Sequence, residues 1–196
     1  MRFLLGLTGS IGMGKSTTAQ MFRDEGVPVW DADAAVHGLY AKGGKAVAIF
    51  AQHFPEVVVD GAVSRAALKD RIARSPAVLA QIEAIVHPLV AEDRAAFIAG
   101  HADQLLVLDM PLLFETKADR WMDAVVVVTA SPEVQKARVL QRETMTQAQF
   151  EMILAKQMPD AEKRARADYI IETVSMDAAR AAVQQIVREL KGEPDA

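Results

Sequence analysis

The segment Gly9-Ser10-Ile11-Gly12-Met13-Gly14-Lys15-Ser16 constrains this chain more than any other, because it fits Gly-x-x-x-x-Gly-Lys-Ser and stands between an apolar run and a helical one. Small residues let a backbone wrap closely round phosphate oxygens, turning N–H groups and a helix N-terminus toward the anion. In such a loop Lys15 adds charge at the β- and γ-phosphates of ATP, and the Ser16 hydroxyl is the expected Mg²⁺ ligand. Gly12 and Gly14 allow backbone conformations that a Cβ would hinder. A glycine-rich turn that merely joined strand to helix would leave Lys15 unexplained. The preceding run, Phe3–Thr8, reads as a buried strand and Lys15–Asp24 as a helix bounded by Gly26, so Gly12, Met13, Gly14, Lys15, Ser16 and Thr17 form the candidate nucleotide cradle.

The rest of the chain repeats this strand-then-helix order. Residues 27–30, Leu105–Asp109 and Ala124–Thr129 are apolar runs of the kind found in strands buried on both faces, with Tyr169-Ile170-Ile171 as a weaker fifth. Ser131-Pro132-Glu133 opens a helix with Ser as cap and Pro at the first helical position, and Met176–Lys191 closes the chain with a helix ending at Gly192. The alternation predicts an α/β fold of the P-loop NTPase kind, a parallel five-stranded sheet flanked by helices. Two stretches interrupt it. Residues 34–100 are almost wholly helical, with helical spacing at 64–74 and 77–85, and read as an inserted substrate-binding subdomain. Residues 131–166 are rich in Arg, Lys, Gln and Glu and suit a solvent-facing lid. The expected organisation resembles a nucleoside-monophosphate kinase: a nucleotide-binding core of residues 1–33, 101–130 and 167–196, an acceptor subdomain at 34–100, and a lid at 131–166.

Composition narrows the partners. The chain has 196 residues, of which 51% are hydrophobic, enough for a substantial core. A formal charge of −4, with basic residues scattered among acidic ones, gives no footprint for nucleic acid or an anionic membrane surface. The absence of cysteine excludes disulfides and thiolate metal sites and fits a cytoplasmic setting. The apolar start mimics a signal peptide but reaches Gly and Ser after a few residues, so a buried strand is the reading expected there, and no segment approaches the roughly 20 apolar residues of a membrane span. A monomer and a small homo-oligomer are both compatible with this.

In open α/β sheets the second substrate is to be sought where strands end. Asp31-Ala32-Asp33 follows the second strand. One carboxylate there would cap the helix beginning at Ala34, and the other would take the proton of an attacking hydroxyl; we assign capping to Asp31 and catalysis to Asp33. Asp109 ends the strand Leu105–Asp109 and suits a Walker-B-like place beside Mg²⁺, through water, although a charged strand terminus at a loop is as ordinary. Thr116-Lys117-Ala118-Asp119 superficially resembles a guanine-reading motif, but it ends no apolar strand and no Asp-x-x-Gly switch element precedes it. A kinase of small metabolites instead predicts lid cations over the transferring phosphoryl group. Lys136, Arg138 and Arg142 fall on one expected helix, with Arg138 and Arg142 four apart, and Lys163, Arg164 and Arg166 follow; Arg142, then Arg138, are the preferred phosphate ligands.

Taken in order, these segments resemble the dephospho-coenzyme A kinase family. The likeness runs through the phosphate loop, Asp31-Ala32-Asp33, His87-Pro88-Leu89, Asp109-Met110-Pro111-Leu112-Leu113-Phe114-Glu115, and Gln157-Met158-Pro159 through Asp168-Tyr169. The phosphate loop is shared by many families, whereas Asp-Ala-Asp, His-Pro-Leu and Pro-Leu-Leu-Phe-Glu in this order are selective. The resemblance implies ATP-dependent phosphorylation of the ribose 3′-hydroxyl of dephospho-CoA, the last step of coenzyme A synthesis. It implies Asp33 as base and residues 131–166 as lid. It also puts Thr8, Asp33, His87, Leu112 and Glu115 at the acceptor. His87 is then either an acceptor contact or a structural hydrogen-bonder at a helix junction. Glu115 either holds a substrate amine or hydroxyl or pairs with Lys117 or Arg120. Ile171-Glu172-Thr173-Val174-Ser175 departs from the Asn and Gly that the family often carries near the adenine. Two other readings remain at this stage, a nucleoside-monophosphate or other small-metabolite kinase and a non-catalytic nucleotide switch; neither explains the whole set of motifs.

Overall fold

Apolar runs at 3–8, 105–109 and 124–129 become the centre of one sheet in the computed structural model, which describes residues 2–101, 104–141 and 145–192. In chain order the elements are β1 (Phe3–Thr8), α1 (Lys15–Asp24), β2 (Val29–Asp31), α2 (Ala32–Tyr40), α3 (Lys45–His53), β3 (Val58–Val59), β4 (Ala62–Val63), α4 (Arg65–Arg74), α5 (Val78–Ala99), β5 (Leu105–Asp109), β6 (Ala124–Thr129), α6 (Pro132–Leu140), α7 (Gln147–Leu154), α8 (Asp160–Ala165), β7 (Tyr169–Glu172) and α9 (Met176–Lys191). The sheet is five-stranded and parallel, in the order β2-β5-β1-β6-β7, and its type is the P-loop kinase fold. β1 lies in the middle, with Leu5 opposite Val107 of β5 and Ala124 of β6. The strand order therefore turns about β1, and the loop that follows it opens at the switch point where α/β sheets hold ligands.

The chain divides into two compact units, Met1–Trp30 with His101–Ala196, and Asp31–Gly100. In the first, every residue of β5 and β6 is buried, because both faces are covered. One face packs Leu5, Val107 and Val126 against Phe22 of α1 and Val183 of α9; the other packs Val125 and Val127 against Leu113 and Phe114. Helix α9 buries Ala179, Val183, Ile186 and Val187, a stripe at helical spacing, so its amphipathic pattern suffices to place it. Removing a side chain such as Phe22, fully buried here, would cost about 3–5 kcal/mol.

The second unit has its own core of Leu39, Tyr40, Phe50, Phe54, Val57 and Ile82, with Tyr40 edge-on to Phe50 at 5.6 Å between ring centres. It is not wholly helical, as its composition suggests. β3 and β4 form an antiparallel hairpin whose turn is Asp60-Gly61, both at positive φ (52° and 78°), the conformation an Asp-Gly pair favours. Two-residue strands are too short to show alternation. The helix expected at 77–85 runs on as α5 through Pro88 to Ala99, so His87 sits inside a helix and not at a junction. Proline removes one rung of the ladder, but the flanking apolar residues Val86, Leu89 and Val90 keep the helix packed. The second strand begins at Val29 instead of 27, since Pro28 has no N–H to donate and only its carbonyl joins the sheet, accepting from Val107 N at 2.9 Å. Helix α2 begins at Ala32 instead of Ala34, and β7 extends one residue, to Glu172.

Candidate active site

The phosphate loop leaves β1 at Thr8 and enters α1 at Lys15, with Gly12 at φ 79° and Gly14 at φ 94°. Any other residue would strain both positions. Space is short as well. A Cβ on Gly12 would fall 2.6 Å from Val139 Cγ2 and 3.0 Å from Gln135 O, and one on Gly14 would fall 3.2 Å from Thr173 Cγ2. Ser16 and Thr17 are exposed in the first turn of α1, where the unpaired N–H groups of the helix end lie. The Met13 side chain is buried and its sulfur accepts the Ala130 N–H at 3.1 Å, so Met13 offers a ligand its backbone alone.

Lys15 Nζ lies 2.5 Å from Asp109 Oδ1, joining the loop to the end of the neighbouring strand β5. The carboxylate is 1% exposed and the ammonium side chain 14%, so the pair is charge-assisted and shielded. It brings together two groups that the sequence expected at the phosphates and the metal.

Residues 131–166 hold the same loop from outside. Gln157 Oε1 accepts the Ile11 N–H at 3.1 Å, and Gln135 Nε2 donates to the Ile11 carbonyl at 2.7 Å, so both backbone groups of one loop residue are satisfied by side-chain amides. Arg138 donates twice to Thr173, from Nη1 to Oγ1 at 2.7 Å and from Nη2 to the carbonyl at 2.8 Å. Arg142, the preferred phosphate ligand, lies outside the described residues. Three further basic residues of this segment have acidic partners: Lys163 pairs with Glu115, Arg164 with Asp160, and Arg166 with Asp119 while its guanidinium lies 4.6 Å from the Phe114 ring centre. Asp119 of the guanine-like motif is thereby engaged within the protein.

Thr8 is fully buried and its hydroxyl donates to the Pro111 carbonyl at 3.2 Å, anchoring the loop that carries Leu112 and Glu115 to β1. Leu112 is 45% exposed. Glu115 does not pair with Lys117 or Arg120. Its Oε1 accepts the Met158 N–H at 2.8 Å and lies 3.1 Å from Lys163 Nζ, whose side chain is completely buried. Burial pushes the Glu115 carboxyl up, but the Met158 N–H and the Lys163 ammonium outweigh it and hold the group below its ordinary range. In the other unit, Asp31 Oδ1 accepts the Ala34 N–H at 2.9 Å, the cap expected of it, while Asp33 and His87 are exposed, Asp33 in the first turn of α2.

Beside the phosphate loop lies a cavity of about 1090 Å³ lined by Met13, Gln135, Leu154, Asp160, Thr173 and Val174 among others. It is large enough for a nucleotide base and sugar. Gln135 had no role in the sequence; Lys163 stood there only among the basic residues of the lid, Gln157 in a segment of family likeness, and Thr173 in the stretch that departs from the family. The signal for Gln135 was its spacing of three and four from Arg138 and Val139, which puts the three on one side of α6.

The dephospho-CoA kinase family model matches residues 3–178. The chain belongs to the dephospho-CoA kinase family. A dephospho-CoA kinase of Ruegeria pomeroyi is 62% identical over 191 residues, covering 97% of each chain, and one of Cereibacter sphaeroides is 58% identical over 194 residues, covering 99% of this chain and 98% of the relative. Among solved structures, a protein of Thermus thermophilus superposes with a TM-score of 0.84 at 31% identity over 96% of this chain and 98% of its own. The dephospho-CoA kinase of Campylobacter jejuni superposes at 0.69 with 19% identity, covering 96% and 97%, a likeness of fold. Dephospho-CoA kinases are ATP-dependent P-loop kinases. Among the described residues no helix is long and apolar enough to cross a membrane.

Proposed function

We propose that this chain carries out its family's reaction with ATP held by Gly12, Met13, Gly14, Lys15, Ser16 and Thr17, and with the ribose 3′-hydroxyl of dephospho-CoA as acceptor, giving CoA and ADP. The carrying observation is the phosphate loop at the carboxyl end of the central strand, its lysine already paired with Asp109, in a chain with family likeness from residue 3 to residue 178. Lys15 and the backbone N–H groups at the start of α1 stabilise charge on the phosphates. Asp33 accepts the proton of the 3′-hydroxyl, and Arg142 and Arg138 neutralise the phosphoryl group in transfer. The acceptor rests on residues 34–100, with His87, Leu112 and Glu115 bordering it, Glu115 through the loop that it and Thr8 fix. Residues 131–166 act as the lid.

The residues fit Mg²⁺. Ser16 presents an exposed hydroxyl and Asp109 a carboxylate close to Lys15, both hard oxygen donors, and Mg²⁺ is held by one or two such groups with waters and phosphate oxygens. When bound, the ion neutralises phosphate charge and orients the transferring group. Ser16 would be its direct ligand and Asp109 would reach it through water. The cytoplasm, which supplies ATP, is the compartment this reading assigns, for a monomer or small homo-oligomer.

Purified protein supplied with ATP and, in turn, dephospho-CoA, AMP, CMP, UMP, adenosine and shikimate, with ADP release followed, ranks the acceptors. Dephospho-CoA should stand first. Equal or greater turnover with another acceptor would overturn the assignment.

A further inference from the structure

Thr173 occupies a position for which the sequence suggested only a departure from its family, and three elements meet on its side chain. It is 7% exposed. Its Oγ1 accepts from Arg138 Nη1 at 2.7 Å and lies 3.0 Å from the Met13 carbonyl and 3.2 Å from the Thr129 carbonyl. A hydroxyl has one proton to give; Met13 O is the nearer of its two acceptors, and Thr129 O has the Thr173 N–H at 2.9 Å as a donor besides, so we assign the hydroxyl proton to Met13 O. The result is a directed chain: Arg138 N–H to Thr173 Oγ1, and Thr173 O–H to the carbonyl between Gly12 and Gly14. The Thr173 carbonyl takes the second guanidinium bond at 2.8 Å, and its methyl group stands where a Cβ on Gly14 would come within 3.2 Å. Thr173 also lines the cavity beside the loop.

We infer that Thr173 is a positioning residue for nucleotide binding, which fixes the plane of the Arg138 guanidinium and sets the Met13 turn of the phosphate loop through one hydroxyl. This rests on the nucleotide site assigned above. Two parallel bonds to one residue orient a guanidinium as a single contact does not, and the charged donor polarises the hydroxyl it bonds, strengthening the onward bond to Met13. The methyl and the hydroxyl have separate tasks. The first fills the space that glycine leaves at position 14, and the second transmits orientation between α6 and the loop.

The test is a mutant cycle read by calorimetric binding of a non-hydrolysable ATP analogue, with thermal unfolding of each variant beside it. Thr173→Val keeps the methyl and removes the relay, and it should weaken binding about tenfold, the effect of losing a bond to a charged group. Thr173→Ser restores the hydroxyl and should bind within about threefold of the parent, marking the relay as the cause. Arg138→Ala should lose at least as much as Thr173→Val, and the double variant little more than Arg138→Ala, because the hydroxyl acts through the guanidinium. Steady-state kinetics with dephospho-CoA should show Thr173→Val raising KM for ATP more than it lowers kcat. Parent-like binding by Thr173→Val, or losses that add in the double variant, would overturn the inference. If Thr173→Val does not fold, Arg138→Lys decides with Thr173 intact: it keeps the charge but not the fork, so a loss matching Arg138→Ala supports the inference and parent-like binding refutes it. A parent chain that binds the analogue yet transfers nothing to dephospho-CoA would count against the assigned reaction, and the cycle would still decide the role of Thr173.

Discussion

Lys15 Nζ and Asp109 Oδ1 stand 2.5 Å apart, a lysine from the loop after β1 against a carboxylate at the end of β5. The strands are hydrogen-bonded neighbours, with Leu7 opposite Asp109, so the register sets the carboxylate beside the end of β1 and the loop that follows carries Lys15 to it. Lys15 is therefore held by the scaffold before it meets a phosphate, which removes part of the ordering cost of binding. Lys15→Ala should lower turnover by about 10²-fold or more and weaken nucleotide affinity. Near-normal turnover and calorimetric ATP affinity in that variant would contradict the phosphate-cradle reading.

Asp33→Asn should leave ATP affinity nearly unchanged and lower kcat by about 10²-fold or more, as loss of a general base does. The comparison needs both a binding measurement and steady-state kinetics. Unchanged turnover would take Asp33 out of that role.

Lys163 and Glu115 tie α8 to the loop after Pro111. Removing the ammonium while leaving the carboxylate, as in Lys163→Met, should destabilise by about 3–5 kcal/mol, read from urea unfolding. The Glu115 carboxyl is held low in the folded chain, so its contribution is present above the unfolded value of about 4.3 and is lost as pH falls through the folded value. Parent stability should thus fall more steeply on acidification below about pH 4.3 than that of Glu115→Gln. Parallel urea midpoints across that range would refute this.

Both tyrosines should resist ionisation. Burial raises Tyr40, while at Tyr169 burial, then the bond from its hydroxyl to Glu189 Oε1 at 2.7 Å, raise the phenol to about 12. A raised folded value means that this contribution holds below the unfolded value of about 10 and is lost as pH rises through the folded one. Spectrophotometric titration should therefore show less phenolate near pH 10 than free tyrosine gives, while the fold persists, and Glu189→Gln should lower the Tyr169 midpoint. An unshifted midpoint in that variant would remove Glu189 as a cause.

The sheet and the glycine loop were legible in the sequence because each rests on a local pattern. Continuous Val and Leu runs give parallel strands, the glycine spacing gives the loop, and Asp31 caps α2 as a short polar residue before a helix should. What escaped were relationships between distant positions. Glu115 was weighed against neighbours two and five residues away, whereas its partner is Lys163, and nothing in either segment announces a buried cation 48 positions on. Thr173 lay in a stretch that departs from the family, so likeness drew attention away from it although its hydroxyl touches the cradle itself. The hairpin at Val58 to Val63 was missed for a different reason: Asp60-Gly61 carries the signal, but the strands are too short to answer it.

Pro88 lies within α5, where it can make no bond to the carbonyl of Ala84. The 22-residue helix is thus one rung short near its middle, between the bonds of its N-terminal half and those of its C-terminal half, with a carbonyl there that the helix ladder does not use. Amide exchange should resolve the two halves as separate cooperative segments, each opening with its own free energy, so that the turn bearing His87 breathes on a different schedule from the end of the helix.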